Sequence, residues 1–214
     1  MPDNLQEPLY QGLCQALLSG VYVPGERLKI RDLAAQWGTS AMPVRAVLQR
    51  LVAEGALEGA PQRSVRVPLM TAERYQHIAQ VRISLEGLAV ELATPRLHSA
   101  QLSQLAQCLE RMQEAIAQRQ LAAYLQANSE FHLSLYRACG NPVLLRSIET
   151  LWLQVGPFFT RLFNAAQLDT QLNDFHGQCL AAIHRGDAQG ARQAMEQDLI
   201  YFTRFLLKRL EHEQ

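Results

Sequence analysis

From Thr71 to the C-terminus the apolar residues recur every three or four positions, with no convincing alternating stretch, and that period dictates helices. Breakers interrupt it at Thr94-Pro95, Gly140-Asn141-Pro142, Gly156-Pro157 and Gly186-Asp187. The spacing predicts six or so helices, over approximately 72–93, 99–118, 121–139, 142–163, 170–185 and 188–211. Each carries one apolar stripe and can bury it only against its neighbours. An antiparallel all-α bundle is the expected solution.

The first 70 residues follow a different pattern. Leu9, Leu13, Ala16 and Leu17 share one helical face, and the run stops at Ser19-Gly20. The stretch VYVPGERL reads as an extended or turn segment, because Pro24-Gly25 punctuates it. Ile30, Leu33, Ala34 and Trp37 then mark a second short helix ending at Gly38. In GTSAMPVRAVLQRLVAEG, Val44, Val47, Leu48, Leu51 and Val52 form a third apolar stripe, with Thr39 or Ser40 as N-cap. Pro43 then falls in the first turn, where a missing N–H costs little. Past Gly55, ALEGAPQRSVRVPL alternates around a Gly-Ala-Pro turn and predicts two short strands. Three helices and a hairpin make a winged helix-turn-helix. The expected fold is therefore mainly α, with a winged helix-turn-helix over 1–70 and the bundle over 71–214.

Composition excludes several function classes. Apolar residues make up 48% and charged residues 19%, with zero formal net charge, which is ordinary for a globular chain. No apolar run approaches the roughly 20 residues that span a bilayer, and MPDNLQEPLYQ lacks the regions of a signal peptide, so a cytoplasmic location without membrane is expected. Cys14, Cys108, Cys139 and Cys179 form no CxxC and are expected to be buried free thiols.

The charge is unevenly spread. Between Arg27 and Arg66, the basic residues Arg27, Lys29, Arg31, Arg45, Arg50, Arg63 and Arg66 face only Asp32, Glu54 and Glu58. On the third helix, the apolar stripe leaves Ala41, Met42, Arg45 and Gln49 pointing outward near its start, where such helices meet base edges in the major groove. Arg45 can bond a guanine edge or a phosphate with its planar fork. Double-stranded operator DNA is the implied partner.

The segment PGERLKIRDLAAQWGTSAMPVRAVLQRLVAEGAL resembles the N-terminal domain of the GntR family of bacterial transcription regulators, over roughly residues 8–68. The resemblance implies a homodimer on a pseudo-palindromic operator. It also implies DNA contacts from Arg31, Arg45 and Ser40. Where many relatives carry Arg-Thr, this chain has Ala41-Met42, and Ser64 follows Arg63 where a wing glycine is usual. Base selection is then expected to lean on Arg45, Met42 and the wing with Arg63, with Gln49 a further DNA-binding residue.

The helical half carries polar groups on its inward stripes. Asn128 and His132 lie on one stripe with Leu121, Leu125, Leu135 and Cys139, while His176 shares another with Cys179 or Leu180 and Ile183. Asp198 sits among Ala191, Ala194, Met195, Phe202 and Phe205. Burying such groups unpaired costs on the order of 1–3 kcal/mol each, so they are expected to partner one another around a divalent metal or a polar ligand. Arg82, on the stripe of Tyr75, Ile78, Leu85, Ala89 and Leu92, needs an anion from the protein or from a ligand carboxylate.

Over approximately 72–211 this half resembles the FadR-type effector domain called FCD, through VRISLEGLAVELA, NSEFHLSLYRACGNP and HGQCLAAIHRGDAQGARQAMEQDL. Family members with a metal use an Asp four residues before a His, then two more His. Those positions fall here on Asn128, His132, His176 and Asp198, two of them changed. The resemblance implies zinc, nickel or manganese on these four residues and a small carboxylate effector near Arg82. The expected function is a ligand-responsive DNA-binding repressor and not an enzyme. Two alternatives stay open: a DNA-binding regulator with a purely structural bundle, and a metal-dependent enzyme, which the absence of a Ser/His/Asp signature and of paired carboxylates disfavours.

Overall fold

The computed structural model describes residues 5–60, 64–162 and 173–212. It divides into two compact units, Met1–Met70 with Thr150–Arg161, and Thr71–Glu149 with Leu162–Gln214. All four cysteines are buried free thiols. Among the described residues no helix is long and apolar enough to cross a membrane.

The first unit opens with α1 (Gln6–Leu18), followed by β1 (Arg27–Leu28), α2 (Ile30–Gln36), α3 (Ala41–Ala53), β2 (Glu58–Ala60) and β3 (Ser64–Arg66). Leu9, Leu13 and Leu17 of α1, Leu33 of α2 and Val44, Val47, Leu48 and Leu51 of α3 form one core with Leu28, Leu57 and Val67. These are the positions that the helical periods select, and each fully buried leucine contributes about 2 kcal/mol relative to an exposed one. The turn between α2 and α3 closes because Gly38 adopts φ +60°, a left-handed conformation that favours glycine. That conformation lets Thr39 N–H reach Ala34 O (2.9 Å) and Gly38 N–H reach Ala35 O (3.3 Å), which satisfies the last carbonyls of α2.

Two expectations need correction in this unit. The sheet has three antiparallel strands, ordered β1-β3-β2, where the sequence pattern announced two. Gly25 N–H donates to Val67 O and Val67 N–H to Glu26 O, both at 2.9 Å, so the Pro24-Gly25 turn lays Arg27–Leu28 along the hairpin. A two-residue strand is too short to show alternation. Ser40 does precede α3 with the extended backbone of a cap residue (φ −81°, ψ 167°), but its side chain makes no capping hydrogen bond.

The helix α7 (Pro142–Leu162) starts in the second unit and contributes Thr150–Arg161 to the first. Leu153 joins the core just described, and Gln154 Nε2 donates to Glu54 O (3.4 Å). Gly156 permits the close approach: a Cβ there would lie 2.9 Å from Leu18 Cα and 3.0 Å from Leu17 O. The Gly156-Pro157 pair, expected as a breaker, instead lies inside α7, although the span 142–163 itself is close to the observed one.

The second unit comprises α4 (Ala72–Ala93), a 3-10 turn (Thr94–Arg96), α5 (Ser99–Ala117), α6 (Leu121–Arg137), the start of α7, α8 (Asp174–His184) and α9 (Ala188–His212). Two of the breakers act as helix starts. Asn141 Oδ1 accepts from Val143 N–H (3.2 Å) and Leu144 N–H (3.1 Å), and Asp187 Oδ1 accepts from Gly190 N–H (2.8 Å). In the bundle, α4 packs on α9 and α6, and α8 packs on α9 and α5. Tyr75, Met112, Phe131, Leu135, Ile148 and Leu206 are fully buried in it.

Candidate functional site

On α3 the apolar face is consumed by the core, so Ala41, Met42, Arg45 and Gln49 are all exposed, Met42 at 75%. Arg31 of α2 and Ser40 at the helix start are exposed as well. Arg63 lies outside the described residues. Ser40 makes no side-chain capping hydrogen bond and is exposed at the start of α3, a place suited to a phosphate oxygen.

Not every arginine of the basic segment belongs to that surface. Arg50 stacks 3.4 Å from the Tyr10 ring centroid and is held by Glu7 (3.0 Å) and Glu54 (3.1 Å). Tyr10 in turn donates to Glu54 (2.8 Å), so this cluster ties α1 to α3. Arg66 pairs with Glu58 across the hairpin. Charge counting along the sequence could not separate these structural arginines from Arg27, Arg31 and Arg45, which are exposed and form no ion pair among the described residues.

In the second unit, three helices bring His132 of α6, His176 of α8 and Asp198 of α9 together. The two Nε2 atoms lie 3.0 Å apart, and each is 3.5 Å from a different oxygen of Asp198. All these donor atoms fall within 4.8 Å of one another. Both imidazoles are almost fully buried, and Phe131 packs edge-on against each. Asn128 stands one turn before His132 on α6 and is partly exposed.

Arg82 reaches the same region from α4. Its Nε donates to Glu86 Oε1 at 2.7 Å, one turn along the helix, and both side chains are buried. Of the two sources of an anion that the sequence left open, the protein supplies one. Tyr136 donates to Glu86 Oε2 (2.5 Å) and lies 2.8 Å from His132 Nδ1, so a continuous chain of contacts joins Arg82 to His132. Glu86 and Tyr136 escaped the stripe reading, although each sits four residues after a residue it named, the spacing at which helix side chains meet.

Burial holds His132 well below the usual imidazole pKa, and the nearby His176 and Arg82 push it further in that direction. It is therefore neutral at pH 7, the form that ligates a cation. Asp198 is raised, chiefly by burial with Glu86 adding, while His176 and Arg82 oppose the shift. Burial, followed by the Glu86 charge, keeps Tyr136 protonated. The Cys179 thiol, which Asp198 also influences, is pushed by burial up to about 12 and is no nucleophile.

The residues present fit a cation. Ligand atoms about 2.1 Å from one ion are about 3.0 Å apart at right angles and about 3.4 Å apart at tetrahedral angles, close to the observed 3.0 and 3.5 Å. The formal charges point the same way, because Arg82 and Glu86 cancel and Asp198 leaves one negative charge. His176 Nδ1 is buried without a hydrogen-bond partner among the described residues. His132, His176 and Asp198 could hold a divalent ion.

The comparisons bear on both halves. The family described as bacterial regulatory proteins, gntR family, matches residues 5–67, and the FCD domain family matches residues 77–200. The HTH-type transcriptional regulator McbR of Escherichia coli K12 is 34% identical over 179 residues, covering 82% of this chain and 80% of that protein. The HTH-type transcriptional repressor RspR of the same organism is 23% identical over 198 residues, covering 92% and 86%. Among solved structures, E. coli McbR/YncC superposes with a TM-score of 0.89 at 30% identity over 96% of this chain and 98% of that one. A GntR-type regulator from Rhodococcus sp. RHA1 shares the fold, with a TM-score of 0.79 at 21% identity over 95% and 97% of the two chains. With an exposed recognition helix in one unit and an FCD bundle in the other, the chain belongs to the GntR family of bacterial regulatory proteins and is a DNA-binding transcriptional regulator, not an enzyme.

Proposed function

We propose that this regulator is a ligand-responsive repressor of the FadR type. Residues 1–70 bind operator DNA through Arg31, Ser40, Met42, Arg45, Gln49 and Arg63, and residues 71–214 bind the effector and form the homodimer. The relative RspR is called a repressor, which supports that sign of regulation. Such a protein works in the cytoplasm.

The observation that carries the sensing half is the convergence of His132 Nε2, His176 Nε2 and the Asp198 carboxylate in a buried, net-negative cluster. A divalent cation (zinc, nickel or manganese) held there, with Asn128 as a further donor, would reverse the local charge. A small carboxylate effector then has a cation to meet, which Arg82 alone does not offer while Glu86 neutralises it. The effector site is accordingly Arg82, Asn128, His132, His176 and Asp198. Effector binding regulates DNA binding only through a difference in affinity between DNA-competent and incompetent states.

The competing reading is a purely structural bundle, favoured by the 3.0 Å Nε2–Nε2 separation, which also suits a histidine–histidine hydrogen bond. A thermal-shift screen with zinc, nickel and manganese, each with and without small carboxylic acids, separates the two. Binding to the folded state raises the melting temperature by mass action. The proposal expects the metal to stabilise alone and carboxylates to stabilise further only in its presence. No shift with any metal or acid would leave the structural reading standing.

A further inference from the structure

We propose that Tyr136 is a positioning residue of the buried site: its hydroxyl, committed to Glu86, holds His132 in the tautomer that carries its proton on Nδ1 and turns a bare Nε2 toward His176 and Asp198. The proposal rests on taking His132, His176 and Asp198 as the ligand site. It deepens that reading by naming what aims one of its ligands.

The number of protons available decides the tautomer. The phenol oxygen of Tyr136 lies 2.5 Å from Glu86 Oε2, 2.8 Å from His132 Nδ1 and 3.4 Å from Met195 Sδ. A phenol has a single proton to give. Glu86, ion-paired to Arg82, only accepts, and a carboxylate is a far better acceptor than a thioether. The phenol proton therefore goes to Glu86, and the contact with His132 closes only if Nδ1–H donates to the phenol oxygen. A neutral imidazole has one N–H, so Nε2 is left with its lone pair.

Glu86 and Tyr136 are 0% exposed, His132 2% and Arg82 4%, so no bulk water competes for these roles. Arg82, Glu86, Tyr136 and His132 thus form a directional relay from α4 into α6. Its regulatory consequence is coupling. An anion that draws Arg82 away from Glu86 loosens the carboxylate that commits Tyr136, and a cation on His132 Nε2 requires the tautomer Tyr136 enforces. The relay links the two events without contact between the two ligands.

The test reads the histidine rings directly. Long-range nitrogen–proton correlation spectra of the metal-free full chain, with His132 assigned by its loss in His132→Gln, are expected to show His132 protonated on Nδ1. Protonation on Nε2 overturns the proposal, whether or not any metal binds. In Tyr136→Phe the His132 signal is expected to shift toward the Nε2–H form, and the zinc dissociation constant measured by calorimetry to weaken about 10- to 100-fold, as loss of an outer partner of a metal-ligating histidine does. An unchanged tautomer or zinc affinity in a folded Tyr136→Phe protein also overturns it. If that variant does not fold, the wild-type spectrum alone decides. Wild-type protein that binds no zinc refutes the metal reading of the site, while the tautomer measurement still tests Tyr136.

Discussion

Arg82 Nε and Glu86 Oε1 lie 2.7 Å apart, one turn along α4, with 4% and 0% of their side chains exposed. Breaking a buried pair by removing one partner costs about 3–5 kcal/mol, because the other charge is left uncompensated. Glu86→Ala is therefore expected to lower the unfolding free energy by that amount in urea titration. Retained wild-type stability would show that another group already balances Arg82.

A glycine on α7 gives an opposite-to-usual sign. Gly to Ala inside an exposed helix normally stabilises by about 1 kcal/mol. At Gly156 the added Cβ would meet backbone atoms, Leu18 Cα at 2.9 Å and Leu17 O at 3.0 Å, which cannot swing aside. Gly156→Ala is expected to destabilise the protein by about 1–3 kcal/mol. A melting temperature above wild type would contradict the packing described for α1 and α7.

Arg45 and Arg50 sit five residues apart on α3 and should part company under mutation. Arg45 is exposed, whereas Arg50 is clasped by Glu7, Glu54 and the Tyr10 ring. Arg45→Ala is expected to weaken operator binding by about 1–3 kcal/mol at unchanged melting temperature. Arg50→Ala is expected to lower the melting temperature instead. Fluorescence anisotropy on a promoter duplex and thermal melts of both variants check the pair, and a reversal of the two effects would refute the assignment.

Stability of the metal-free protein should fall on acidification. Burial, with His176 and Arg82, keeps folded His132 from protonating at the usual imidazole pKa of 6.5. The unfolded chain takes up that proton as pH drops through 6.5 and the folded one does not, so this group removes up to about 1.4 kcal/mol per pH unit below that point. Asp198, raised by burial, acts in the opposite sense once its carboxyl protonates in the fold. Urea midpoints measured between about pH 7 and pH 5.5 should decline more steeply in wild type than in His132→Gln. Equal slopes would mean that His132 protonates freely.

Most of the fold was legible because it follows from periodicity and punctuation. The helix spans from α4 to α9 agree with the expected ones to within a few residues, since Asn141 and Asp187 cap the helices they precede, while the Gly156-Pro157 breaker lies inside α7. Strand β1 was not legible, because two residues carry no pattern and its pairing is set by distant Val65 and Arg66. In the buried cluster, the inward stripes pointed to His132, His176 and Asp198. They passed over Glu86 and Tyr136. Glu86 meets Arg82 and Tyr136 meets His132 one turn along their own helices, and only the crossing of α4 and α6 joins Tyr136 to Glu86.

The most direct test joins the two halves. Wild-type protein is titrated by anisotropy onto a duplex from the region upstream of its own gene, first with chelator, then with zinc, then with zinc and each small carboxylic acid that raised the melting temperature. The operator dissociation constant is expected to change at least about 5-fold on effector addition, the lower range of allosteric coupling. That change should disappear in His132→Ala and Asp198→Ala, which leave α3 unaltered. An operator affinity that stays the same under all three conditions, or one that responds equally in the two variants, would contradict the assignment of the buried cluster as the sensor.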